Sequence, residues 1–417
     1  MDAETVNLND VIFVGKVDDA ELAYLLLTHF RHSCSGLSNE VRFYRANGPG
    51  AVKLTYRKGK IESAAGIGLK PEEITLLADK VKGDLLESPG TTVARCILLA
   101  TYRVKGCFVY GDKLRILPVP EHAPNAPDLT EEQVFSEHLD IEHHFIVEFP
   151  LTQSISPIIQ LHRLERAARR NALLLNVFLE GTVSRSSPGQ QQHWIHEEGA
   201  DLSSSYKYLR EGYRFPGFFD IGPGFADTAN IPQMETMEYY EYFSNPRQEL
   251  NAPMRVPVLL ATFLDRFGSL ARSDQERFMR SAHWFHHTSN VWQDSKSAAY
   301  LAIISSIETL RPAVPPSEKC EKCGSPLRKG VTKQFVECLD GKASASKEDV
   351  SVMKELYRLR SALTHGGDLF HADTQAHLDM NPKSTAEAQS YYVAMSLARR
   401  ALLGWLMRKT GGWPVPS

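Results

Sequence analysis

The chain has 417 residues, 42% hydrophobic and 23% charged, which excludes a disordered or collagen-like chain and leaves room for two or three domains at ~100–200 residues each. With 47 Lys+Arg against 50 Asp+Glu the formal charge is −3, so bulk positive charge cannot hold it on nucleic acid and any RNA contact has to be local. No apolar run approaches the ~20 residues that span a bilayer, and the acidic opening MDAETVNLND has no apolar signal core; no membrane contact is expected, and the expected location is the cytoplasm.

Residues 1–240 read as a mixed α+β domain. Runs rich in β-branched and aromatic residues predict strands at Val11–Val17, Ala51–Arg57, Thr92–Arg103, Lys113–Val119 and Phe145–Phe149. Helical spacing predicts helices at Asp19–His32, Pro71–Leu86 and Ile155–Arg170, with Pro71 where a first turn tolerates it. Cys34, Cys96 and Cys107 fall in apolar or strand-like contexts and read as packed, reduced thiols. From Phe215 to Pro257 Pro, Gly and aromatics gather without a sustained period; residues 241–257 read as a connection between domains.

From residue 258 to 417 the pattern turns all-helical, with a Cys-containing insertion at 311–345. Three helix starts carry a hydroxyl with an acid three residues on: Ser273 with Glu276, Ser346 with Asp349, and Ser384 with Glu387. Core faces follow each: Phe278, Ala282 and Phe285; Val352, Leu356, Leu359 and Leu363; Tyr391, Ala394, Ala398, Leu402 and Trp405. Ser297–Leu310 is apolar on nearly every face and suits an enclosed helix, so a bundle of at least four helices is predicted.

The segment LYRLRSALTHGG, Leu356 to Gly367, closes one of these helices, with Gly366 able to take the left-handed conformation that stops it. Arg360 and His365 therefore occupy its last turn, where the negative end of the helix dipole favours a cation. An Arg/His pair suits attack of an RNA 2′-hydroxyl on the neighbouring phosphate: imidazole moves the proton and guanidinium meets the accumulating charge, with no metal required. One His does not easily serve as base and acid together, so two copies facing each other across a homodimer are the economical arrangement.

The block from Ser273 to Lys409, with RSALTHGG and SSIETL, resembles a HEPN domain, and more narrowly the ApeA-like HEPN group of bacterial antiphage proteins. The resemblance implies a dimerising bundle of four to five helices with Arg360 and His365 at the positions of the RNA-cleaving motif. It also implies a setting in phage defence by abortive infection, and a phage-derived trigger acting through the N-terminal domain. The position after the Arg is often Asn, Asp or His in the wider family; here it is Ser361, which can still hydrogen-bond a phosphate. The alternative is a non-catalytic scaffold of the same fold that dimerises or binds a partner.

Glu308, inside the most apolar helix, needs a partner; Arg360 is the candidate, and exposure at a bundle end is the other solution. Cys320, Cys323 and Cys338 have spacing compatible with structural zinc lacking an obvious fourth ligand; a degenerate site and a redox pair fit as well. His283, His286 and His287 have helical spacing that could bind metal, but no acid or Cys accompanies them and packed or solvated imidazoles are the plainer reading. Arg163, Arg166, Arg169 and Arg170 form a basic helix run that reads best as a solvated face. Lys354, Arg358, Arg399 and Arg400 are the candidates for guiding RNA toward Arg360.

Overall fold

The computed structural model describes residues 5–30, 34–37, 39–45, 50–87, 90–120, 143–185, 193–196, 206–209, 218–238, 252–292, 294–311, 318–319, 326–327, 332–333, 335–336, 347–365, 368–374 and 382–413. The fold is α+β, with sheets in the first half of the chain and helices in the second. The chain falls into two compact units, each discontinuous in sequence. One comprises Met1–Ala94, Phe149–Ala168 and Ile221–Phe225; the other comprises Arg95–Glu148, Arg169–Asp220 and Ala226–Ser417.

In the first unit β1 (Thr5–Asn7), β2 (Cys34–Leu37), β3 (Glu40–Tyr44), β4 (Ala51–Arg57) and β5 (Lys60–Ile67) form an antiparallel sheet in the order β1-β5-β4-β3-β2. Lys58 and Gly59 between β4 and β5 both have positive φ, at 51° and 76°, the backbone a two-residue hairpin of right-handed twist demands. Helix α1 (Asp19–Phe30) begins where the Asp18 carboxylate accepts the N–H groups of Ala20 and Glu21 at 3.0 and 3.2 Å. Helix α2 (Pro71–Val81) has Pro71 in its first turn, and the Glu73 carboxylate accepts the Lys70 N–H at 2.9 Å. Leu22, Leu25, Leu26, Phe43, Val52, Leu54, Leu77 and Ile159 close one core.

The strand predicted at Val11–Val17 is absent: residues 10–16 are turns. Asn7 and Asn9 explain why. The Asn7 side chain accepts the Asn9 N–H and the Asn9 side chain accepts the Ala64 N–H, so side-chain amides end β1 and replace a ladder. Ile12 is nonetheless fully buried, its apolar pattern reflecting an anchor and not a strand.

A second sheet has the order β10-β6-β9-β8-β7, built from β6 (Thr91–Ala100), β7 (Phe108–Tyr110), β8 (Leu114–Pro118), β9 (His143–Thr152) and β10 (Val183–Ser184). Helix α3 (Pro157–Phe178) runs past the predicted end at Arg170 because Ala172–Leu175, Val177 and Phe178 are apolar and buried. A hairpin pairs β11 (His193–His196) with β12 (Tyr206–Leu209), and β13 (Ile221–Gly222) adds to β6. Beyond it β14 (Thr236–Met237) pairs in parallel with β15 (Val256–Pro257), so described parts of the aperiodic stretch are held by strand pairing.

The helices of the second half are α4 (Leu260–Ser269), α5 (Arg272–Val291), α6 (Lys296–Thr309), α7 (Lys347–Thr364) and α8 (Pro382–Lys409), with the short pair β16 (Glu318–Lys319) and β17 (Pro326–Leu327) between α6 and α7. Helix α6 packs against α5, α7 and α8, which is why its sequence is apolar all round. Phe178, Phe263, Phe267, Phe278 and Trp405 stack in one aromatic core with ring centroids 5.4–6.2 Å apart.

Two of the predicted capping boxes do not form. Helix α5 starts at Arg272 on an Ala271 cap, before Ser273, and Glu276 bonds Arg272 instead. Helix α8 starts at Pro382, placing Ser384 inside its first turn with a buried hydroxyl that has no partner among the described residues. Ser346 lies outside the described residues. The predicted core faces of α5 and α8 are buried as expected. In α7 Leu356 and Leu363 are buried as expected and Leu359 is half-buried, but Val352 is 40% exposed, and Met353 and Tyr357 complete the inward stripe.

Candidate active site

The inward stripe of α7 determines where Arg360 points. Met353, Leu356 and Tyr357 are buried, and Arg360, three or four residues further, continues the same face at the helical period. Tyr300 of α6 donates its hydroxyl to the Leu356 carbonyl at 2.8 Å and fixes α7 along α6. Glu308, two turns beyond Tyr300, then meets Arg360: Nη2 lies 3.4 Å from Oε2. The pairing expected for Glu308 is thus the one the fold makes.

Two groups that the sequence did not single out complete this cluster. Tyr357 donates its hydroxyl to Glu308 Oε1 at 3.1 Å, its ring lies 5.6 Å from the Arg360 guanidinium, and the Phe335 ring packs on it with centroids 4.9 Å apart. Burial and the Glu308 charge together raise the Tyr357 hydroxyl above the ordinary range, so it stays a donor. Arg311, in the turn that ends α6, brings Nη1 to 3.9 Å from Glu308 Oε1. The signal for Tyr357 was its place one turn before Arg360; that for Arg311 was its i+3 spacing from Glu308.

The side chains of Arg360, Glu308 and Arg311 are 27, 21 and 24% exposed, so the cluster opens on solvent at the end of α6 and α7. Among the described residues Glu308 is the one hydrogen-bond acceptor of the Arg360 guanidinium, leaving its other N–H groups available. His365 follows α7 as an exposed residue whose N–H donates to the Ser361 carbonyl at 3.1 Å. Ser361 is half-buried. Gly366 and Gly367 lie outside the described residues.

Beyond them the chain returns to the start of α6. Phe370 donates its N–H to Ser297 Oγ, and the Asp373 carboxylate accepts from Ser295 Oγ and the N–H groups of Lys296 and Ser297 at 2.6–3.0 Å. Glu387 of α8 accepts the His371 N–H with both oxygens, at 2.9 and 2.8 Å. Arg360 before His365 and Asp373 after it thus each contact α6, at its two ends.

The residues proposed to guide RNA divide. Lys354 and Arg358 are exposed on α7, and Arg358 forms a forked pair with Glu355 at 2.6–2.8 Å. Arg399 does not face outward as expected: it donates to the carbonyls of Asn176 and Gly181 at 3.1 and 2.6 Å and lies 5.4 Å over the Phe285 ring, capping the carbonyl end of α3. Arg400 is half-buried. Of the basic run on α3, Arg166, Arg169 and Arg170 are exposed as a solvated face requires, while Arg163 is withdrawn into a pair with the buried Glu21, and Arg170 lies 5.1 Å over Phe267.

Cys320, Cys323 and Cys338 lie outside the described residues; Cys96 and Cys107 are buried. His283 and His287 stack with centroids 6.2 Å apart, while His286 is turned inward, its Nε2 unpartnered among the described residues and burial pushing it down to about 4. No group of three His, Cys, Asp or Glu able to hold a metal occurs among the described residues. Among them no helix is long and apolar enough to cross a membrane. No family model, curated protein or solved structure matches the chain.

Proposed function

We propose that the chain is a metal-independent endoribonuclease of HEPN type acting in the cytoplasm in antiphage defence. What supports this is the guanidinium of Arg360, steadied by Glu308 and Tyr357 yet with N–H groups left over, five residues before the exposed His365. A positioned guanidinium with free donors is what a phosphate gaining charge requires. In the reaction the 2′-hydroxyl attacks the adjacent phosphorus and gives up its proton to imidazole. The P–O5′ bond breaks, and the leaving oxygen takes a proton from the imidazolium of a second copy across a homodimer. The products are a 2′,3′-cyclic phosphate end and a 5′-hydroxyl end. Structural zinc on Cys320, Cys323 and Cys338, and a phage-derived trigger acting through the N-terminal domain, belong to the same reading.

The test is cleavage of defined RNA by purified wild type, Arg360→Ala and His365→Ala, with EDTA present. Each variant should lose cleavage by about 10³-fold or more while thermal unfolding stays within a degree or two. Products should carry cyclic phosphates, and a 2′-deoxy substitution at the cut should block the reaction. Cleavage by both variants at the wild-type rate would remove these residues from the mechanism. A wild-type dimer that cuts no RNA would leave the scaffold reading.

A further inference from the structure

Glu308 sits between two guanidiniums and balances one of them. Arg360 Nη2 approaches Oε2 at 3.4 Å and Arg311 Nη1 approaches Oε1 at 3.9 Å, so the cluster keeps one net positive charge. Arg311 is the less satisfied of the two. At 3.9 Å it is an ion pair without a hydrogen bond, and its Nη1, shielded from solvent, has no hydrogen-bond partner among the described residues. The Arg311 side chain as a whole is nevertheless 24% exposed and that of Arg360 27%, so an anion can approach the two cations, which flank one carboxylate whose Oε1 already accepts from Tyr357.

We infer that Arg311 is a second phosphate-binding residue of this site, taking a backbone phosphodiester of single-stranded RNA next to the one held by Arg360. The substrate class rests on the ribonuclease reading above. The geometry of the anion subsite does not. Glu308 acts as a spacer that keeps the two guanidiniums apart and oriented. Tyr357 fixes Glu308 by its hydroxyl and lies with its ring 5.6 Å from the Arg360 guanidinium. Two cations at a fixed separation match a strand with phosphates at regular intervals better than a single anion.

The experiment measures binding of a fluorescein-labelled, twelve-nucleotide 2′-O-methyl RNA, which cannot be cleaved, to full-length wild type, Arg311→Gln and Arg311→Lys over a series of salt concentrations. Arg311→Gln should weaken binding roughly tenfold and reduce the slope of log K against log salt by about 0.7, the value for one phosphate contact on a single strand. Arg311→Lys should keep the wild-type slope and recover part of the affinity. On cleavable RNA, Arg311→Gln should raise KM with kcat within about threefold. Equal thermal unfolding of the three proteins separates lost contact from lost fold. Unchanged affinity and slope in Arg311→Gln would overturn the inference while the ribonuclease reading stands. A wild type that binds the oligonucleotide with the predicted Arg311 dependence but cuts no RNA would overturn the nuclease reading and leave the subsite. No binding by wild type would overturn both.

Discussion

Glu21 and Glu308 are both carboxylates held by arginines across two helices, and they differ in how far the pairing is completed. Glu21 of α1 takes three contacts from Arg163 at 2.7–3.1 Å and a fourth from Arg166 at 3.2 Å, and its side chain is 5% exposed. Arg163 is equally committed, its remaining Nη1 bonding the Gln153 carbonyl at 2.7 Å. Glu308 makes longer contacts, is four times as exposed, and its two arginines keep unused N–H groups. A saturated pair can only hold a fold together. An unsaturated, solvent-facing one can exchange its leftover donors for a ligand.

The largest effect should come from breaking the saturated pair. Glu21→Gln leaves Arg163 charged and buried against an amide, and loss of one partner of a buried pair costs about 3–5 kcal/mol. Urea unfolding should show a loss of that order, with RNA cleavage per folded molecule unchanged. A loss below about 1 kcal/mol would place Glu21 among ordinary surface pairs and dissolve the contrast.

Asp373 gives an intermediate case: saturated, but at a helix start and not between cations. Burial alone would raise its carboxyl; the hydrogen bonds from Ser297, Lys296 and Ser295 outweigh that and hold it below its ordinary 3.8. Because the folded value is the lower one, its contribution is present above pH 3.8 and is lost as pH falls below that value. Asp373→Asn should cost about 1–2 kcal/mol at pH 7, typical of a lost helix cap, and its stability should change less than that of wild type on acidification. Parallel pH curves for the two proteins would remove Asp373 as the source.

How much of this was legible in the sequence depends on the range over which each interaction acts. Helices α1, α2 and the cores of α5 and α8 follow from periodicity, which is local and reads directly. The Glu308–Arg360 pair was foreseeable because an acid in an apolar helix demands a cation. Val352 was placed on the wrong face because Tyr357 was not counted among the core residues; including it shifts the stripe to Met353, Leu356, Tyr357 and Leu363. Arg399 was misread because its acceptors, Asn176 and Gly181, are more than two hundred residues earlier in the chain and leave no local mark. Val11–Val17 misled because side-chain amides on two neighbouring asparagines replaced the ladder.

The smallest effect on stability, and the most discriminating on chemistry, should come from Glu308→Gln. The amide retains an oxygen for the Tyr357 hydroxyl, and pairs as exposed as these contribute at most about 1 kcal/mol, so unfolding should barely move. Removing the negative charge leaves two uncompensated guanidiniums, which should tighten RNA binding and steepen its salt dependence. The same change releases Arg360 from its fixed orientation, so kcat should fall by about 10- to 100-fold. A KM and a kcat that fall together are not what a purely structural carboxylate would produce. A stability loss of several kcal/mol with kcat per folded molecule unchanged would instead group Glu308 with Glu21, and the two clusters would differ in exposure alone.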